Sequence, residues 1–298
     1  MSVAPTQDPL ALSPLAERGD EAGVARRERL ALVLRSKTFV AGAVVLLFWV
    51  FCAFFGEAVA PKSAFASDPL SGLRAPSGEF WFGTDRIGRD VFARVLAGAR
   101  DILIVAFLAT ALGTVLGTAI GLVTGYFRGL VDDVIMRFVD ALVAVPLVIT
   151  GLLALVALGS SKTTVVLTIG VVFMPLIART VRAAVLAERE LEYVEAAKLR
   201  NERAPYIMFA EILPNVFAPV LVEFTVRLGY SIFVIATLSF LGLGIQPPAP
   251  DWGLQVREHY ALISGGFWWP VLFPSLAIAS LVVAVNLVTD GLTQAFER

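Results

Sequence analysis

Glu223 and Arg227 are the charged pair in this chain best placed to act where water is scarce. They stand four residues apart in the apolar run 215–243, so a helix puts both on one face, where they can pair. Ionisable side chains at that depth are costly and usually face an interior or a water path. Two readings are open: a lining that meets a zwitterionic cargo, and a structural ion pair to a partner. Other chemistries have little material. The chain has one histidine, His259, and one cysteine, Cys52, too few for a His-rich metal site or an intramolecular disulfide framework. A phosphate-binding loop needs lysine after glycine. The four lysines, Lys37, Lys62, Lys162 and Lys198, follow Ser, Pro, Ser and Ala. No nucleotide-hydrolysing motif is present, although counting does not remove a carboxylate or Ser–Lys site.

Two further clusters carry charge. In FGTDRIGRDVFAR at 82–94, Gly83 and Gly88 punctuate turns, and Asp85, Arg86, Arg89 and Asp90 can pair locally. Chemistry alone gives a solvated segment, with Thr84 in it, leading into an interfacial helix. In LEYVEAAKLRNERAPYIMFAEILPN at 191–215, good helix formers fill about 190–200. Asn201 then stands where a left-handed residue can end that helix. Pro205 suits the first turn of a second helix, and Pro214 marks the entry to the next apolar run.

These groups sit in a chain of 298 residues that is 57% hydrophobic and 16% charged, whereas soluble domains are nearer 45–50% apolar and about 25% charged. Net charge is −1, so no basic surface argues for nucleic acid. Crossing a bilayer takes about 20 apolar residues. Six stretches qualify: 38–60, 102–126, 134–158, 163–185, 215–243 and 270–292. Of 24 Lys and Arg, an arrangement with both termini cytoplasmic places 15 inside: six before the first span, Arg128 and Arg137, six in 179–203, and Arg298. That bias follows the positive-inside rule. Residues 1–37 are expected to be a cytoplasmic tail, 61–101 an outer loop, and 102–298 a five-helix core with a cytoplasmic loop at 187–213. Residues 1–25 have the composition of a disordered segment. Ala64-Phe65-Ala66 resembles a cleavage site, but the apolar stretch before it is too long for a signal peptide.

Gly113, Gly117, Gly121 and Gly125 recur every fourth residue of the second span and share one face. They permit close helix contact: packing alone is one reading, a face that slides during gating the other. Trp252, Trp268 and Trp269 fall at outer boundaries, where an aromatic belt or loop packing explains them. His259 is expected at the surface.

The segment 82–94, GYFRGLVDDVIMRFVD at 125–140, the Glu-Ala-Ala loop, LSFLGLGIQPPAPDWG at 238–253 and FPSLAIASLVVAVNLVTDGL at 273–292 occur in order. Together they resemble the dipeptide/oligopeptide/nickel family of ABC-importer permeases over about 80–298, and specifically its second, shorter permease. The resemblance implies an all-α, six-span type I permease of a bacterial inner membrane. It implies that Glu195, Ala196, Ala197, Asn201, Leu213 and Pro214 form a loop that couples to ATPases. It makes Asp251, Trp252 and Gly253 candidates for contacting a substrate-binding protein. The implied partners are a homologous second permease, two ABC ATPases, an extracytoplasmic solute-binding protein and the bilayer, with no nucleic acid. No cofactor is bound and no catalysis done here; ATP and Mg belong to the ATPases. Three positions depart from the family pattern: Asn201 for Gly, Glu211 for His, and Ile235 for Glu.

Two other classes compete. A secondary transporter or channel without ATPases wants ionisable residues in several spans, and only Glu223 and Arg227 lie deep in one. A membrane-embedded hydrolase wants a nucleophile–base pair or metal ligands. Within the importer class, nickel chelates and other small solutes compete with peptides as cargo.

Overall fold

A computed structural model describes residues 36–296; the expected tail falls almost entirely outside the described residues. Ser36 opens helix α1 (Lys37–Val59) with its hydroxyl accepting from the Phe39 amide. After a segment with one 3-10 turn (Pro69–Ser71), Asp90 caps α2 (Val91–Phe127) by accepting from Ala93 N at 2.7 Å. At 37 residues, α2 extends about 56 Å. That exceeds the roughly 30 Å hydrocarbon layer, so its first turns project beyond it. The helix therefore starts at Val91, ahead of the expected span 102–126, because Arg94, Arg100 and Asp101 are compatible with helix, merely not with lipid.

Left-handed Arg128 (φ 54°) and Gly129 (φ 60°) end α2 and open α3 (Gly129–Val143). The expected third span, 134–158, is not one helix. It breaks into α3 and α4 (Leu147–Leu158), inclined by 86°. Pro146 lacks the N–H a continuing helix needs and disfavours helical backbone at Val145. Ser161 caps α5 (Lys162–Glu188), accepting from Thr164 N at 3.0 Å. A short helix, α6 (Glu192–Leu199), leads to a helical run made of Ala204–Tyr206, a π-helical turn Ile207–Ile212 and Leu213–Asn215. Then come α7 (Phe217–Phe240), α8 (Trp252–His259), a 3-10 turn (Tyr260–Gly265) and α9 (Trp269–Phe296). Five of these helices are long and apolar enough to cross a membrane, six spans if α3 and α4 count as one. The described residues form no strand beyond an isolated bridge between Thr84 and Asp90.

The core is the seam between α2 and α5, with Ile102, Ala106 and Ala109 on one side and Ile169, Phe173, Ile177 and Val181 on the other, all buried. The four glycines of α2 face α5, against Gly170, Ile177, Val181 and Val185. α1 lies against α2 and α9 and puts Trp49 into the core.

The cap formed by the α1–α2 segment and α8 corrects three expectations. The segment 82–94 is not solvated. Thr84 is fully buried and Asp85 1% exposed. Thr84 Oγ1 donates to Ser71 O at 2.5 Å and accepts from Arg74 N at 2.8 Å. Asp85 accepts from the Ile87 and Arg89 amides and from Arg89 Nε at 2.5 Å, and Arg89 reaches on to Glu258 of α8 at 2.9 Å. Of the four charges expected to pair, Arg86 points outward and Asp90 is occupied as a cap. Gly83 (φ 74°) and Gly88 (φ 79°) turn the chain, and a methyl on Gly88 would fall 1.8 Å from the Asp68 carbonyl oxygen.

Asp251, Trp252 and Gly253 are likewise buried: of the readings open for Trp252 this is loop packing, not an aromatic belt, and the three offer no surface to a soluble partner. The Trp252 indole donates to Val95 O at 2.8 Å and meets Trp49 edge-on at 4.7 Å. Its burial stabilises the cap by a margin on the order of 3–5 kcal/mol, the usual loss for Trp→Ala. His259 is 3% exposed rather than superficial, its Nδ1–H donating to Gln255 O at 2.7 Å.

These buried groups give the cap two opposed pH responses. Burial pushes the Asp251 carboxyl up to about 6 from 3.8. The contribution of its neutral form is thus complete below pH 4 and is lost as pH rises through 6. Burial pulls the His259 imidazole below its ordinary 6.5, so its contribution is lost as pH falls below that value. In the unmodified protein the two offset each other. Asp251→Asn keeps the cap on Leu254 N and removes the first response. Its melting temperature in detergent is expected to fall on acidification from pH 6.5 to 5 more steeply than that of the parent. Superimposable pH profiles would contradict the assignment to Asp251.

Candidate functional site

The segment 188–215 holds the six residues that the resemblance assigns to ATPase coupling, Glu195, Ala196, Ala197, Asn201, Leu213 and Pro214. Glu192 and Glu195 stand in the first turn of α6 and Lys198 in its last, as the helix dipole favours. Val194 and Ala197 are fully buried and join the core beside Ile207, Met208 and Ile212. Glu195 and Ala196 point outward with Lys198 and Leu199. Ala196 and Ala197 therefore divide the task expected of both: Ala197 seats the helix on the protein, and only Ala196 is open to a partner. Leu199 is 78% exposed and Leu191 47%. Two solvent-facing leucines flanking Glu195 are an apolar contribution that charge-based sequence reasoning missed, though the Leu-x7-Leu spacing is visible in the sequence.

Asn201 holds φ 57° at the end of α6. Its amide donates to Lys198 O at 3.0 Å and the next amide, Glu202 N, to Ala197 O at 3.2 Å, the paired closure of a left-handed helix stop. Glu211, where the family has histidine, lies 3.5 Å from Arg200, which also holds Glu202 at 2.8 Å. All three are partly or well exposed, so these pairs add little stability and serve to fix the turn. Leu213 and Pro214 continue the helical run, which stops at Val216 before α7.

Tyr193, which sequence reasoning did not single out, ties the segment to two spans. Its hydroxyl donates to Glu188 at the end of α5 at 2.8 Å and accepts from Asn215, just before α7, at 3.1 Å. Burial first, then the Glu188 hydrogen bond, push its phenol up to about 12. Arg189 donates to the Tyr126 carbonyl at the end of α2, and the Lys198 ammonium lies 5.9 Å from the Tyr126 ring. α3 is tied to α5 by Asp132–Arg182 in two bonds of 2.5 and 2.6 Å and by Asp140–Arg179 at 2.5 Å. α6 and Arg189 ahead of it thus have connections to the ends of α2, α5 and α7.

Further along α7, Arg227 donates to Glu223 at 2.6 Å. Glu223 is 8% exposed, while Tyr230, 5.7 Å from the Arg227 guanidinium, is largely exposed. Ile235, where the family has Glu, is fully buried in the apolar core. The 188–215 segment and the Glu223–Arg227 pair are separate places, one at the mouth of α7 and one inside it.

A family model described as "Binding-protein-dependent transport system inner membrane component" matches residues 117–298. The chain is 34% identical over 271 residues to the dipeptide transport system permease protein DppC of Alkalihalophilus pseudofirmus, covering 91% of this chain and 89% of that one. It is 36% identical to the glutathione transport system permease protein GsiD of Pectobacterium atrosepticum, over 91% of this chain and 90% of that one. It is 34% identical to the di/tripeptide transport system permease protein DppC of Pseudomonas aeruginosa, over 88% of each. A chain of the inward-facing MetNI methionine ABC transporter shares the fold, with TM-score 0.57, 18% identity, and coverage of 69% of this chain and 97% of that one. The helical architecture with its 188–215 segment, and the match over most of it, agree: this chain belongs to the binding-protein-dependent transport system inner membrane components.

Proposed function

We propose that this chain is one of two permease subunits of an ATP-driven importer of di- and oligopeptides, working with a homologous second permease, two ABC ATPases and an extracytoplasmic solute-binding protein. The observation that carries the coupling role is the face of α6. Glu195, Ala196 and Leu199 point away from the protein on a helix that Val194 and Ala197 anchor from below. The peptide cargo is supported by relatives named for dipeptides, di/tripeptides and glutathione.

In this reading α6 seats in a groove on an ATPase, Leu199 and Ala196 making apolar contact and Glu195 fixing the register. ATP and Mg stay on the ATPases, and this chain performs no catalysis. Closure of the two ATPases draws the coupling helices together. Tyr193, Arg189 and Asn215 pass the displacement to α5, α2 and α7, which rock to expose the pathway alternately. The termini and 188–215 are cytoplasmic in a bacterial inner membrane, in keeping with the lysine and arginine distribution. Glu223 and Arg227 line the pathway and exchange partners with the two ends of a zwitterionic peptide.

The test is recovery of the chain in mild detergent with whatever it retains, followed by reconstitution with ATP enclosed on the cytoplasmic side. A second permease and P-loop ATPases should co-purify, and uptake of a labelled tripeptide should require ATP and the binding protein. Uptake by the chain alone, driven by a proton or sodium gradient, would favour the secondary-transporter class instead. In the same vesicles, Glu223→Gln with Arg227→Gln removes both charges and leaves neither stranded in a buried place. Assembly should persist and tripeptide uptake fall about tenfold, a change of ~1.4 kcal/mol. Undiminished uptake would leave the pair a structural one.

A further inference from the structure

We propose a binding site for a zwitterionic phospholipid, of the phosphatidylethanolamine type, in a groove at the outer boundary of the membrane between α1, α2, α5 and the 246–250 segment. The groove is a cavity of 710 Å³ whose upper rim carries Glu57, Arg100, Asp101 and Lys162. Below the rim its wall is apolar, and Ile104, Leu108 and Leu167 on that wall remain 47–50% exposed.

Three observations select this occupant. The first is polarity along the groove. Asp101 and Leu108 are seven residues apart on one helix, roughly 10 Å, the distance over which a bilayer passes from headgroup to acyl chain. An amphiphile fits such a gradient along its whole length. The second is charge. The rim holds two cations and two anions, so an anionic headgroup meets as much repulsion as attraction, while a headgroup with one phosphate and one ammonium can satisfy both signs. The third is availability. Lys162 and Asp101 are paired at 2.5 Å, whereas Glu57 and Arg100 are exposed and form no ion pair among the described residues. Arg100 is the donor left for a phosphate, and Glu57 the acceptor left for an ammonium that can donate hydrogen bonds. The acyl chains then cover Ile104, Leu108 and Leu167. The proposal does not depend on the nature of the cargo.

The experiment uses the full chain with the partners it retains, in vesicles containing phosphatidylethanolamine with a photoreactive acyl chain, and maps adducts by mass spectrometry. Adducts at 104–108 and 163–167 should exceed those on the exposed Leu276–Val283 face of α9 about fivefold, in keeping with two partly screened ion pairs. Glu57→Gln with Arg100→Gln, both at exposed positions, should abolish that excess and leave the α9 adducts unchanged. Even labelling of both faces, or an excess that survives the double variant, overturns the site. Competition by phosphatidylglycerol equal to that by unlabelled phosphatidylethanolamine overturns the zwitterionic assignment. Displacement by a free tripeptide makes the groove a cargo site. Labelling that appears only after the partners are stripped away makes it a subunit interface.

Discussion

Glu195→Arg is expected to abolish ATP-dependent uptake while the protein remains inserted and folded. Glu195 is exposed on α6 and forms no ion pair among the described residues, so the substitution breaks no internal contact. Its local effect is on the helix dipole, where a cation in the first turn costs about 0.3–1 kcal/mol. That is small beside the burial of Val194 and Ala197, which keep the helix in place. Across an interface the same change acts differently. A reversed charge set against its former partner costs several kcal/mol, which corresponds to a loss of docking on the order of 100-fold or more. ATPase subunits should therefore no longer co-purify, or should hydrolyse ATP without transport. Membrane yield, melting temperature, bound ATPase and uptake measured together separate the possibilities. Normal uptake by this variant would end the docking role for α6.

Gly117→Val should be the most damaging single change within the membrane. A methyl at Gly117 would lie 2.7 Å from Ile177 Cβ and 2.8 Å from the Met174 carbonyl oxygen, and valine adds two more carbons. Ile177 is fully buried and the carbonyl belongs to helix backbone, so neither can yield without moving α5. Helices in lipid gain nothing from hydrophobic exclusion and hold together by close contact of small residues. Separating the largest seam of the molecule therefore destabilises by about 3 kcal/mol or more. Val115→Ala, two residues away and 67% exposed, should stay within about 0.5 kcal/mol. Thermal unfolding in detergent compares the two. If Gly117→Val melts like the parent but fails to transport, the glycine face serves sliding and not packing.

The order of the apolar stretches, the all-α class and the family were legible in the sequence. They depend on composition and on residue order over short windows, which folding does not change. The left-handed stop at Asn201 is local for the same reason; the caps at Asp90, Ser161 and Asp251 are equally local, but sequence reasoning missed them. Even the break in the third span was written there as Pro146, although its apolar content concealed it: hydropathy does not register a missing N–H. Three-dimensional placement was another matter. Hydrophilic character suggested that Asp85, Asp251 and His259 lie in water, yet each is buried because partners far along the chain, or the closure of the cap over them, remove solvent. Trp252 finds Val95 and Trp49 across 157 and about 200 residues, and no pattern within one window encodes that meeting. The same holds for Tyr193 with Asn215 and for the division of Ala196 from Ala197. The sequence by itself determined which segments are apolar enough to cross lipid and most of what is helical, because both follow from local backbone preference and solvent transfer. Only the tertiary structure decided which polar groups are buried and which face of α6 is offered outward, because burial depends on what packs on top.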